Sequence, residues 1–161
     1  MRRMLEKDHQ PNEASFAVSL MAAGQLGDAD FAEDIFARRA ESGFGPKEEI
    51  YASMMLAHAK AGQHEEGLEY WRQLVCVDGI GDVKINLDTY HCALRSAVVA
   101  TQWNEVEAIL DVMKSHDIVP FDQTFKTAIA ACRVRKGVNG LDGPEYWERV
   151  ERVVDAISRR G

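Results

Sequence analysis

The chain holds five histidines, three cysteines and a C-terminal cluster of basic side chains, the residues most able to do chemistry or bind a charged ligand. The histidines (His9, His58, His64, His91, His116) are scattered, and His58 and His64, six apart, fall on different parts of a helix surface, so no metal-ligand set emerges. Cys76, Cys92 and Cys132 are isolated thiols without CxxC spacing, which predicts reduced cysteines and neither a disulfide framework nor a metal clip. There is no Gly-rich phosphate loop, GxSxG or HExxH, and Asp78 and Asp82 lack the further oxygen ligands of a calcium loop. The reading is therefore of a protein that is not an enzyme and needs no cofactor. The chemistry that remains is charge neutralisation. Lys126, Arg133, Arg135 and Lys136, followed by Arg149, Arg152, Arg159 and Arg160, could contact phosphate without reading sequence, or form a solvated face paired with Glu145, Glu148 and Glu151.

Those residues need a frame, and composition limits what it is. The chain has 161 residues, 46% hydrophobic and 28% charged, with net charge −7. No apolar stretch approaches the roughly 20 residues that span a bilayer, so no membrane is expected as a partner, and without a catalytic motif no small-molecule substrate is expected either. The charge is uneven. Residues 13–47 carry three basic against six acidic side chains, residues 48–86 three against seven, and residues 87–121 two against five. Residues 122–161 reverse the balance, with eight against six.

The frame itself follows from a beat in the aromatics. Phe16, Tyr51, Tyr90 and Phe125 sit 35, 39 and 35 residues apart, each followed by an apolar run, a Gly or polar break and a second apolar run. A fixed period of this length marks a solenoid of supersecondary units that cannot bury their apolar faces alone. Each unit parses as two helices. The first helices are predicted over Glu13–Ala23, Glu48–Ala61, Leu87–Thr101 and Asp122–Lys136, and the second over Asp28–Ser42, Glu65–Val77, Asn104–His116 and Pro144–Arg160. In the third unit Tyr90, Ala93, Leu94, Ala97 and Val98 form an amphipathic stripe, answered by Val106, Ile109, Leu110 and Met113.

The breaks have matching chemistry. Gly27, Gly62 and Gly137 are placed to end first helices in the left-handed conformation, Asn104 to cap a second helix, and Pro11, Pro46 and Pro120 to end units. Ala22, Ala57, Ala59, Ala97, Ala130 and Ala131, with Ala32, Gly67 and Ala108 in the second helices, are expected where helices approach closely. Phe36, Trp71, Leu110 and Val154 are expected to fill space between layers, with Trp103 and Trp147 near helix starts. Asp78–Asp82 and Val138–Gly143 are insertions, read as surface loops.

These units resemble pentatricopeptide repeats, the 35-residue helical hairpins of organellar RNA-binding proteins. The resemblance rests on Ile50-Tyr-Ala-Ser-Met-Met-Leu-Ala-His-Ala-Lys-Ala-Gly62, on Glu65-Glu-Gly-Leu-Glu-Tyr-Trp71, and on the closing segments Glu41-Ser-Gly-Phe-Gly-Pro46 and Met113-Lys-Ser-His-Asp-Ile-Val-Pro120. It implies an all-α, right-handed superhelical solenoid of helix-turn-helix hairpins. The units would span residues 13–47, 48–86, 87–121 and 122–161, the last with an inserted loop at 137–143. Residues 1–12, with Met4-Leu-Glu-Lys-Asp-His-Gln-Pro-Asn12, are similar to the close of a preceding, incomplete unit, so the chain is expected to be a piece of a longer array.

The resemblance also assigns positions. In that family a base is read by the residue after the helix aromatic together with the last residue of the unit. The matched positions here are Ala17 with Lys47, Ala52 with Asn86, and His91 with Phe121, none of them a usual base-reading pair. The sandwiching positions hold Ala14, Glu49, Asp88 and Gln123, and of the phosphate-contacting basic residue before the turn only Lys60 remains, with Gln25, Val99 and Val134 elsewhere. The expectation is an adaptor in organellar RNA metabolism or translation, within an assembly such as a mitochondrial ribosome or RNA-processing complex. It would contact protein partners, and RNA backbone at its C-terminal end. The alternative is a protein-binding scaffold without RNA contact. A mitochondrial or other organellar location is implied by resemblance, without a visible transit peptide.

Overall fold

The computed structural model describes residues 11–45, 47–76 and 85–118, together with Thr124, Lys126, Glu151 and Asp155. They form six helices: α1 (Glu13–Leu26), α2 (Ala29–Glu41), α3 (Glu48–Ala61), α4 (His64–Cys76), α5 (Leu87–Val99) and α6 (Trp103–Ser115). No strand occurs among the described residues, and the fold is an all-α series of helical hairpins. The helices expected over 122–136 and 144–160 lie outside the described residues except for single positions. So do both insertions, Gly137, Pro46, Pro120, Phe125, Ala130, Ala131, Cys132, Trp147 and Val154.

Three helices start on side-chain caps. Asn12 Oδ1 accepts from the Ser15 N–H at 2.8 Å and Asp28 Oδ1 from the Phe31 N–H at 3.1 Å. Asn86 Oδ1 accepts from the Asp88 N–H at 3.2 Å. Each satisfies a donor that the first helical turn leaves open. Lys47 and Gln102 start α3 and α6 without a side-chain cap bond. Asn104 does not cap α6, as its position before the apolar stripe suggested; it lies inside the first turn, exposed.

All three hairpins turn on the same closure. Gly27 and Gly62 take φ 73° and 81°, and the following N–H groups reach back, Asp28 to the Ala23 carbonyl at 3.1 Å and Gln63 to the His58 carbonyl at 2.9 Å. In the third hairpin Thr101 adopts the left-handed conformation, φ 58°, and Gln102 N–H reaches the Ala97 carbonyl at 2.8 Å. This is the Schellman arrangement, with glycine at two of three positions. It also explains two shifted ends. Helix α5 stops at Val99, before Thr101, whereas α1 continues past Ala23 to Leu26.

The chain divides into two compact units, Met1–Lys84 and Ile85–Gly161. In the first, α1 packs on both α2 and α3, and Phe16, Leu20, Ala23, Ala32, Ile35, Ile50, Met54 and Ala57 form one buried cluster. Phe36, partly buried, meets Tyr51 and Tyr70 edge-on with ring centroids 5.8 and 5.4 Å apart. In the second, α5 packs on α6, and the two stripes read from the sequence are buried. Trp71 and Leu110 are buried as expected of space-filling residues.

Two small residues face outward instead. Ala22 is exposed because Gly24 and Gly27 face α3: a Cβ on Gly24 would lie 2.9 Å from the Ser53 carbonyl oxygen. Ala108 is exposed because the position matching Ala32 and Gly67 is Val106, and two residues turn a helix about 200°.

Candidate functional site

The positions matched to base reading are mostly committed to the fold. Ala17 is partly buried against the core cluster of the first unit and Ala52 is half-buried, and neither offers a polar side chain. Lys47 Nζ lies 3.1 Å from Glu13 Oε1, tying the start of α3 to the start of α1. That bond first, then the Lys47 charge and Arg39, hold the Glu13 carboxyl below its ordinary pKa against an opposing desolvation. Asn86 caps α5. His91 Nε2 is 3.0 Å from the Oγ1 of buried Thr124, and burial lowers its pKa while Asp88 opposes the shift. Phe121 and Gln123 lie outside the described residues. Ala14, Glu49 and Asp88, at the sandwiching positions, are exposed.

The basic candidates divide. Lys60 is exposed but donates to the Gln25 carbonyl at 2.7 Å, placing its charge on the C-terminal end of α1, where the helix dipole is negative. Lys126 is exposed in the second unit. Arg133, Arg135 and Lys136 lie outside the described residues. Among the described residues Lys47, Asn86 and His91 each have a partner within the fold, as does Lys60, the one retained turn lysine.

Of the buried polar side chains that the sequence reading did not find, two are basic. Arg39 is 3% exposed, at the place in the period held by Leu74 and Met113. Its Nη1 donates to the Phe44 carbonyl at 3.3 Å, and its Nη2 to the Gly45 carbonyl and, at 3.3 Å, to Glu13 Oε1. The guanidinium also lies 6.0 Å from the Phe44 ring centroid. One side chain therefore fastens the turn after α2 to both α1 and α2. A charge on an otherwise apolar stripe was the available signal. The second is His58, also buried: Nδ1 meets Gln63 Oε1 at 3.1 Å, Nε2 lies 3.4 Å from Glu33 Oε1, and the ring stacks on Tyr70.

Tyr70, Tyr90 and Cys92 are shifted by their place in the fold. Burial, with the Glu33 charge next, pushes the Tyr70 phenol up to about 12; burial alone does so for Tyr90, whose hydroxyl lies 2.7 Å from His116 Nδ1. Burial also raises the Cys92 thiol, against Arg95, which is the reverse of what activates a thiol nucleophile. Among the described residues no three His, Cys, Asp or Glu side chains are grouped to hold a metal ion, and no helix is long and apolar enough to cross a membrane.

No protein-family model matches the chain. It is 30% identical over 115 residues, 71% of its length, to a pentatricopeptide repeat-containing protein of Arabidopsis thaliana. It is 24% identical over 137 residues, 85% of its length, to a second pentatricopeptide repeat-containing protein of the same plant, one named as mitochondrial. The chain spans 16% and 20% of these two relatives. Sequence similarity and an all-helical hairpin fold therefore agree on a pentatricopeptide-like relationship.

Proposed function

We propose that this chain is a non-catalytic, pentatricopeptide-like adaptor, a structural member of an organellar RNA–protein assembly such as a mitochondrial ribosome or an RNA-processing complex. The observation that carries this reading is the use made of the reading positions: Lys47 bonds Glu13, Asn86 caps α5, and His91 meets Thr124. Side chains spent on the fold are not presented to bases, while the hairpin closures and apolar stripes of a stacking protein are kept. The mitochondrial designation of one relative supports the location. In this reading RNA contact is confined to the phosphate backbone and to Lys126, Arg133, Arg135 and Lys136, with protein partners along the acidic helices. The rival, a scaffold that touches protein alone, draws on the Lys60–Gln25 bond, which occupies the turn lysine. Affinity purification of the native protein with and without RNase separates the two. Ribosomal or processing components should be lost or depleted after RNase; full retention of every partner would favour the scaffold.

A further inference from the structure

Matched position by position, the second hairpin differs from its neighbours at one place in the joint it makes with the first. Where α1 has Ala23 and α5 has Ala97, α3 has His58; where α2 has Ile35 and α6 has Ile109, α4 has Tyr70. The two alanines, the two isoleucines and His58 are all buried, and Tyr70 is half-buried. An imidazole in a place that a methyl group fills elsewhere costs stability unless its nitrogens find partners.

The surroundings of that ring suit a cation. Gln63, whose N–H closes the turn on the His58 carbonyl at 2.9 Å, sets its Oε1 3.1 Å from Nδ1. On the other side Nε2 is buried without a hydrogen bond, and Oε1 of Glu33, from α2, stands 3.4 Å away. Tyr70 lies against the ring face, 25° from parallel, with centroids 5.2 Å apart. Burial, with the Glu33 charge next, pushes its phenol up to about 12, so Tyr70 is neutral wherever an imidazole titrates. The titratable groups set against the ring are thus Glu33 from α2 and Tyr70 from α4. Helix α1, which also packs on α3, has no titratable side chain over residues 14–27, and Lys60 of α3 is turned to the Gln25 carbonyl. Neither neutral form of His58 suits both sides. With the proton on Nδ1, a bare Nε2 faces a carboxylate; with it on Nε2, a bare Nδ1 faces the Gln63 oxygen. A ring with both protons donates to Gln63, pairs with Glu33 and lays its charge on the π face of Tyr70.

We propose that His58 is a proton-dependent clasp between the first two hairpins. As an imidazolium held between Gln63 and Glu33 over Tyr70, it ties α2 to α3 and α4, and it lets go when the second proton leaves. Losing that proton removes the charge that the Glu33 carboxylate answers. The stability the clasp adds is therefore present at acid pH and lost as the pH rises through the range in which imidazoles titrate. Because the Glu33 side chain is 58% exposed, the pair is partly screened and its effect is modest.

Nitrogen NMR of the full chain with labelled histidine reads the ring directly. Both His58 nitrogens should carry a proton at about pH 5, and one should be bare at about pH 8. A ring with one bare nitrogen at both values, as a turned Gln63 amide donating to Nδ1 would give, would overturn the proposal. So would a ring that keeps both protons at the higher value, since nothing would then be released. Thermal unfolding reads the consequence. Glu33→Gln keeps an acceptor near Nε2 but removes the charge, so the wild type should melt about 3 °C above it at the acid end and within about 1 °C of it at the other. The double variant H58A/Y70I installs the residues of the other hairpins, and in it Glu33→Gln should move Tm by less than about 1 °C at either pH. An effect of Glu33→Gln that is equal at the two pH values, or that survives in H58A/Y70I, would sink the clasp. The ring measurement uses the wild-type chain and so decides the matter even if the double variant does not fold.

Discussion

At the scale of single residues, the turns carry a strain that can be measured. Thr101 stands left-handed, φ 58°, where the first two hairpins have Gly27 and Gly62, and a β-branched residue pays about 1–2 kcal/mol for that conformation. Thr101→Gly should therefore stabilise the second unit by about 0.5–1 kcal/mol after the extra backbone entropy of glycine is offset. The reverse change separates strain from crowding. Gly62 has open space around its Cβ position, so Gly62→Ala should cost only the backbone term, about 1 kcal/mol. At Gly27 the new methyl would also meet Lys60 Cβ at 2.8 Å, so Gly27→Ala should cost about 2 kcal/mol or more. Urea denaturation of the three variants checks the order, and equal costs at the two glycines would refute the close α1–α3 approach. Glu13 makes a pH prediction. Its carboxyl is held below the ordinary value, so the stability it adds is present above the unfolded-state carboxylate pKa and is lost as pH falls through the folded one. Denaturation midpoints of wild type and Glu13→Gln should differ at pH 7 and converge only once the pH has fallen below the ordinary glutamate range; parallel curves would exclude the Lys47 and Arg39 pairs as the cause.

At the scale of elements, the period explains what the sequence made legible and what it hid. Five of the six described helices follow their expected spans within one or two residues, because apolar spacing and the breaks between helices bracket them; α1 alone runs three residues beyond its expected end. The end of α5 was overshot because Thr101 does a glycine's work without being one. Asn104 looked like a cap, but the hydrogen-bonded closure at Thr101 and Gln102 starts α6 earlier. Partners such as Lys47 and Glu13, 34 residues apart, belong to stacked helices and have no local signature. Arg39 was hidden for another reason: apolar residues are sought on a stripe, and a buried cation is not. Comparison with Leu74 and Met113 turns that into a prediction. Arg39→Ala, which leaves the Phe44 and Gly45 carbonyls and a cavity behind, should cost about 3 kcal/mol. Arg39→Met restores the apolar filling found at Met113 and should recover about half of that loss. Thermal or urea unfolding would decide it, and a Met variant no better than the Ala variant would mean that the bonds to the turn, rather than the filling, account for the stability.

At the scale of the whole molecule, charge decides where a nucleic acid can approach. Residues 13–121 carry eight basic against eighteen acidic side chains, and of the basic ones Lys47 is held by Glu13, Lys60 by the Gln25 carbonyl and Arg39 is buried. A polyanion laid along these helices would meet repulsion over most of its length. The balance turns only in residues 122–161, eight basic against six acidic, so under the proposed reading any RNA backbone contact should be short and confined to that segment. If Lys126, Arg133, Arg135 and Lys136 each neutralise one phosphate of single-stranded RNA, log Kobs should fall against log salt with a slope near −3, about −0.7 per contact. Reversing Arg133, Arg135 and Lys136 to Glu should remove most of that slope together with the binding, while Lys60→Ala should leave both unchanged. Filter binding over a range of potassium chloride supplies the measurement. A slope steeper than about −5, or a loss on Lys60→Ala as large as that of the triple variant, would place the RNA along the helices and return Lys60 to phosphate contact. A flat response with no binding would instead leave the acidic surface, and therefore a basic protein partner, as the molecule's working face.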